Sequence, residues 1–79
     1  MAHPGGPVSR IVVDPKIRFG KPVIAGTRIA VEDVLELIAA GVPIERIITD
    51  FYPDLTEEDV RACVRYALAV LREEEVHVE

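Results

Sequence analysis

One cysteine, two histidines, a few aspartates and tyrosines, and a Gly-Lys pair are the residues that could carry chemistry in this chain. A nucleophile needs a base beside it. Cys63 lies on the stripe Val60, Cys63, Val64, Ala67, Leu68 and Leu71, which predicts burial and low reactivity. His3 and His77 stand near the two ends with no partner at fixed spacing, so no triad can be assembled around them. Asp14, Asp50 and Asp54 could be imagined as a metal cluster. Asp54 suits a turn, where Asp bonds its own backbone, and Asp50 suits a solvated helix end. Tyr52 and Tyr66 have no base in view. A chain of 79 residues is also short for the usual buried ligand pocket. The sequence therefore predicts no enzyme, no metal and no cofactor.

The Gly-Lys pair belongs to GKPVIAGTRI, residues 20–29. A phosphate-binding loop places its lysine after the second glycine, with a helix directly behind. Here Lys21 follows the first glycine, and Gly26 is followed by Thr27, Arg28 and a segment that still reads as extended. The reading that fits is structural. Gly26 supplies a positive φ in a tight turn between PVIA and TRI. Pro22 stands at a strand start, where a missing donor is tolerated. Val23 and Ile29 alternate inward while Lys21 and Arg28 face solvent.

The elements around these residues follow from period and punctuation. HPGGP marks residues 1–8 as a disordered tail. RIVVDP reads as a short strand, and a β-hairpin occupies residues 9–30. Val31, Val34, Leu35 and Ile38 then fall on one helix face, which predicts a helix over 31–40 with Gly41 as its left-handed stop. A second helix is expected over 43–51, with Pro43 at its first position and Pro53 ending it. Thr56 caps a third over 57–72, and Glu57, Glu58 and Asp59 favour its positive end. Residues 73–79 form an acidic tail. The fold class is α+β: an N-terminal β-hairpin followed by a three-helix, helix-turn-helix-like bundle, in one domain over 9–72.

Size and composition set the setting. A domain this small is marginal alone, and a lone cysteine provides no disulfide. With 49% apolar residues and no staple, the chain gains by oligomerising. A homodimer is expected, with two hairpins pairing at their edges. No apolar run reaches a membrane span, and MAHPGGPVSR has no apolar core for a signal peptide, so a cytoplasmic protein is expected.

The span from Arg10 to Ala67 resembles the domain of unknown function 433 family. The matching pieces are DP with GKPVIAGTRI, then VLELIAAG, then YPDLTEEDV. Phe19, where a small residue is common, and Ala30, where Pro or Thr is common, depart from the pattern. The resemblance implies a compact domain with a β segment and a homeodomain-like trihelical part. It also implies a link to VapB-like antitoxins, often encoded beside a PIN-like ribonuclease toxin. No catalytic residue is known for the family.

Charge separates the possible partner surfaces. Residues 1–30 hold five cations against one acid, a net +4, and residues 31–79 hold four arginines against thirteen acids, a net −9. A split of this kind can mark distinct partner faces or two solvated ends. For double-stranded DNA, the candidates are Lys16, Arg18, Lys21 and Arg28 on the hairpin rim, and Arg61 and Arg65 on the third helix. Doubled in a dimer, the rim offers eight cations and a steep salt dependence. A helix-turn-helix would present the third helix by its N-terminal end, which is acidic, and Arg61 can instead pair with Glu57 or Glu58. For a protein partner, the candidates are Ala62, Tyr66, Ala69 and Val70. With the acidic tail, they suit a basic partner such as a PIN-like ribonuclease toxin. The alternative is that a second subunit covers Tyr66 and Val70. The sequence reading is an antitoxin-like protein that binds such a toxin and its own operator DNA, or a protein-interaction module of the same fold without DNA binding.

Overall fold

The computed structural model describes residues 10–75, with side chains through Glu73. The expected tail over 1–8, His3, His77 and most of the acidic tail lie outside the described residues. The architecture is the expected α+β order, an antiparallel hairpin followed by three helices. Strands β1 (Ile11–Val12) and β2 (Val23–Ile24) pair with Ile11 opposite Ile24 and Val12 opposite Val23. All four residues are β-branched, the type that suits a pleated, half-buried surface.

The second arm differs from expectation. TRIAV is expected to form a short strand after PVIA, yet it contributes only a single bridge, Val23 to Ala30. The Gly26 turn does form, at φ 80°. The Thr27 hydroxyl donates to the Ile24 carbonyl at 2.8 Å and accepts the Ile29 N–H at 3.0 Å. That side chain takes the place of a ladder partner. Helix α1 (Val31–Ala39) then starts at once, with the Val31 N–H on the Pro22 carbonyl at 3.0 Å.

Glu32 and Asp33 stand in the first turn of α1, where the macrodipole favours acids. The helix ends in a Schellman motif. Gly41 N–H bonds Ile38 at 2.9 Å, Val42 N–H bonds Leu37 at 3.1 Å, and Gly41 holds φ 90°, the left-handed geometry that glycine adopts without a Cβ penalty.

The second helix is shorter than expected. α2 covers Ile44–Arg46, and Ile47–Phe51 continues as a π-helical segment closed by Tyr52 N–H on the Ile47 carbonyl at 2.8 Å. Pro43 stands just outside it, at ψ 154°. Pro53 denies Tyr52 a helical conformation, and Tyr52 sits at φ −133°. The widened turn keeps Ile47 fully buried. The α2–α3 pair thus keeps the order of a helix-turn-helix with a truncated first helix.

Helix α3 (Glu57–Glu75) runs past the expected end at Arg72, because Arg and Glu are good helix formers and nothing interrupts them. Its start is a reciprocal capping box. Asp59 N–H bonds Thr56 Oγ1 at 3.2 Å, and Thr56 N–H bonds Asp59 Oδ2 at 3.0 Å. The core gathers Ile24, Val31, Val34, Ile47, Leu55, Val60 and Cys63. Each fully buried aliphatic stabilises the fold by ~1.5–3 kcal/mol.

The outward side of α3 corrects the sequence reading. Val64, Leu68 and Leu71, expected in the core stripe, are exposed, at 38%, 42% and 57%. Ala62, expected on the open side, is fully buried. Helix α3 lies against α1, α2 and β1, and the small Ala62 permits a close approach that a larger residue would block.

Candidate interaction surfaces

Helix α1 partly neutralises the rim cations. Lys21 Nζ lies 3.0 Å from Glu32 Oε2, and Arg18 Nη2 lies 3.9 Å from Asp33 Oδ2. Arg18 Nη1 also donates to the Arg28 carbonyl at 2.9 Å, which clips the loop before β2 to the loop after it. Lys16 and Arg28 are exposed, and neither forms an ion pair among the described residues.

The α3 arginines are more fully engaged. Arg61 lies 3.3 Å from Glu57 and 3.7 Å from Glu58, and Arg65 lies 2.6 Å from Glu58. The Arg65 hydrogen bond and charge hold the Glu58 carboxyl below its usual range. Hence Arg61 and Arg65 answer the acids of their own helix, the ordinary role of such pairs.

The loop between the strands carries an unexpected feature. Asp14 opens it by accepting the Lys16 N–H on its carboxylate at 2.9 Å and the Ile17 N–H on its carbonyl at 2.8 Å. A 3₁₀ turn over Arg18–Gly20 follows. Arg18, Phe19 and Gly20 hold φ of 51°, 61° and 83° in succession. For the first two residues this left-handed region costs ~1–2 kcal/mol each. Phe19 is 97% exposed, so the strained turn presents a bare aromatic ring amid cations. No sequence signal marks it, because Phe19 ends the alternation Val13, Pro15, Ile17, a pattern that suits a strand equally well.

Beside this loop a groove of about 330 Å³ opens between α1 and α3. Pro22, Val31 and Leu35 form one wall. Tyr66, Ala67, Val70 and Leu71 form the other, with Lys21 and Glu32 at the mouth. Of the four expected partner residues, Tyr66 and Val70 meet here. Ala69 is exposed elsewhere on α3, and buried Ala62 is unable to touch a partner. The outward row Val64, Leu68 and Leu71 was missed because its spacing suits a core face equally well.

The titratable candidates take structural places. Cys63 is fully buried, and that burial, followed by the nearby Asp59 charge, pushes its thiol up to about 11. Asp50 accepts from Arg46 and Thr49, and these bonds, Arg46 first, hold its carboxyl below the usual value. Among the described residues no group of three or more His, Cys, Asp or Glu is placed to hold a metal ion. No helix among them is long and apolar enough to cross a membrane.

Comparison with known proteins agrees with these elements. The chain is 39% identical over 59 residues to the uncharacterized protein y4eO of Sinorhizobium fredii (strain NBRC 101917 / NGR234). That match takes in 75% of this chain and 26% of the relative, so the chain spans about a quarter of the length of the curated relative it matches. No solved structure matches it. A family model described as "Protein of unknown function (DUF433)" matches residues 11–67. That span holds the hairpin, the Gly26 turn, α1, α2 and the first half of α3, and the chain belongs to the DUF433 family.

Proposed function

We propose that this chain is a non-catalytic, antitoxin-like binding protein that holds a PIN-like ribonuclease toxin against the outward side of α3. The observation that carries the reading is the exposed row Val64, Leu68 and Leu71 on a helix that continues into an acidic chain end. An amphipathic helix of this kind suits a hydrophobic groove, and the acids suit a partner with a positive substrate channel. The nature of the toxin comes from the family resemblance.

Co-expression tests it. A PIN-like ribonuclease encoded beside this gene should arrest growth alone, and the wild-type chain should relieve the arrest. Leu68→Glu should not. Relief that survives Leu68→Glu together with Val64→Glu would remove α3 from the account.

A second reading, operator DNA, is favoured by Lys16 and Arg28, the rim cations without an acid among the described residues. It places the hairpin rim, not α3, on phosphate. The same fold acting as a protein-interaction module without DNA binding is the outcome if no operator is bound.

A further inference from the structure

We propose that two copies of this chain associate by exchanging Phe19, the ring of each entering the α1–α3 groove of the other. Knob and groove are both present on one chain, and neither is filled. Phe19 is 97% exposed on its strained turn, and the groove offers about 330 Å³. An apolar cavity of roughly 150 Å³ already holds a benzene ring, so a phenyl side chain fits with room for its Cβ. The walls are apolar, from Pro22, Leu35, Tyr66 and Val70, and an aromatic anchor in such a pocket is the common form of an interface hot spot.

The two features are neighbours. Phe19 and the mouth residue Lys21 are two positions apart, at most ~7 Å along the chain. A two-fold axis passing between them inserts both rings at once. The contact is therefore isologous and closes as a dimer, whereas a knob and hole on opposite faces would build a filament.

Charge agrees with this occupant. The knob follows Lys16 and Arg18 in the chain, and Arg18 reaches across to the Arg28 carbonyl. The groove has Glu32 at its mouth, held by Lys21 of its own chain at 3.0 Å, with exposed Glu36 one turn along α1 and exposed Glu73 just beyond Val70. Lys16 and Arg28 on one copy, and Glu36 and Glu73 on the other, have no ion pair among the described residues and are the charges left to meet across the contact; such complementarity fixes register. Pairing at the hairpin edges has less to offer, because each strand is only two residues long. The groove shares Leu71 with the outward row of α3, so Val64 and Leu68, which do not line it, are the positions that separate this exchange from a toxin bound to α3.

Sedimentation equilibrium with the purified full chain tests it, with circular dichroism confirming that each variant is folded. Wild type should be dimeric. Phe19→Ser and Val70→Arg, both at exposed positions, should each weaken the dimer by about tenfold or more. Leu68→Glu should leave it unchanged. Mixing the two variants should give a heterodimer tighter than either variant alone and weaker than wild type, because it keeps one of the two insertions: the Val70→Arg copy supplies a ring and the Phe19→Ser copy an open groove. A monomeric wild type, a dimer indifferent to Phe19→Ser, or a mixture that associates no more tightly than the separate variants would overturn the exchange.

Discussion

Arg10 Nη1 donates to Asp59 Oδ1 at 2.8 Å, tying the residue before β1 to the first turn of α3 across 49 positions. The other Asp59 oxygen closes the capping box with Thr56. One carboxylate therefore fixes the start of α3 and anchors the hairpin against it. Burial pushes this carboxyl up, but the bonds from Thr56 and Arg10 outweigh it and hold it below its ordinary value. Asp59→Ala should cost ~1–2 kcal/mol, the size of a lost cap. Arg10→Ala should cost less, because Arg10 is half exposed and such pairs contribute ~1 kcal/mol or below. A depressed folded-state value means that the contribution is complete above the unfolded carboxyl value of about 3.9. It is lost as pH falls through the lower, folded value. Urea denaturation of wild type and Asp59→Ala should show a stability gap at pH 7 that closes below about pH 4.

The turn that joins β2 to α1 rests on one hydroxyl and one backbone conformation. Thr27→Val removes both bonds made by the Thr27 oxygen and should cost ~1–2 kcal/mol by leaving the Ile29 N–H unpaired, while the Ile24 carbonyl keeps the Thr27 N–H at 3.0 Å. Gly26→Ala and Gly41→Ala meet nothing within 4 Å, so their cost is the left-handed φ alone, ~1–2 kcal/mol. Chemical denaturation of the three variants checks this. A Gly26→Ala protein as stable as wild type would show that the turn relaxes to another conformation.

These two places show what the sequence made legible and what it did not. The Gly26 turn, the Gly41 stop, the Thr56 cap and the burial of Cys63 all follow from local chemistry, which is why they can be read without a structure. The outward side of α3 was misread because Val64, Leu68 and Leu71 keep helical spacing with Val60, and only packing decides which of two adjacent stripes is covered. The shortened α2 was hidden for a similar reason. Ile44, Ile47, Ile48 and Phe51 fit a helical period, while the widening depends on how Pro53 turns the chain away. The groove joins residues from two distant helices, and no sequence spacing reports that.

Cys63 should behave as a core residue. With its thiol buried and pushed up to about 11, it should react with a thiol reagent at neutral pH only as fast as the fold opens, since the thiolate is the reactive species. Labelling that tracks urea-induced unfolding is the expected result. Fast labelling of the native protein would show α3 to be loosely seated.

For the operator-DNA reading, the rim should appear in the salt dependence of binding. Lys16→Ala with Arg28→Ala should lower the slope of log K against log salt by ~0.9 per lost phosphate contact. Arg61→Ala and Arg65→Ala should leave it unchanged, because both arginines are engaged by Glu57 and Glu58. Fluorescence anisotropy on upstream DNA over a salt series gives the slopes. A larger effect at Arg65 than at Arg28 would move the contact to α3.

The outward side of α3 is proposed to hold a protein partner. If the neighbouring gene encodes a PIN-like ribonuclease, isothermal titration of the purified chain into that protein tests this most directly. The account predicts a saturable complex that Leu68→Glu weakens by ~30-fold or more, the loss of one hot-spot residue, while Phe19→Ser leaves the binding intact. Binding that Leu68→Glu does not change, or no binding by the wild-type chain, would contradict it.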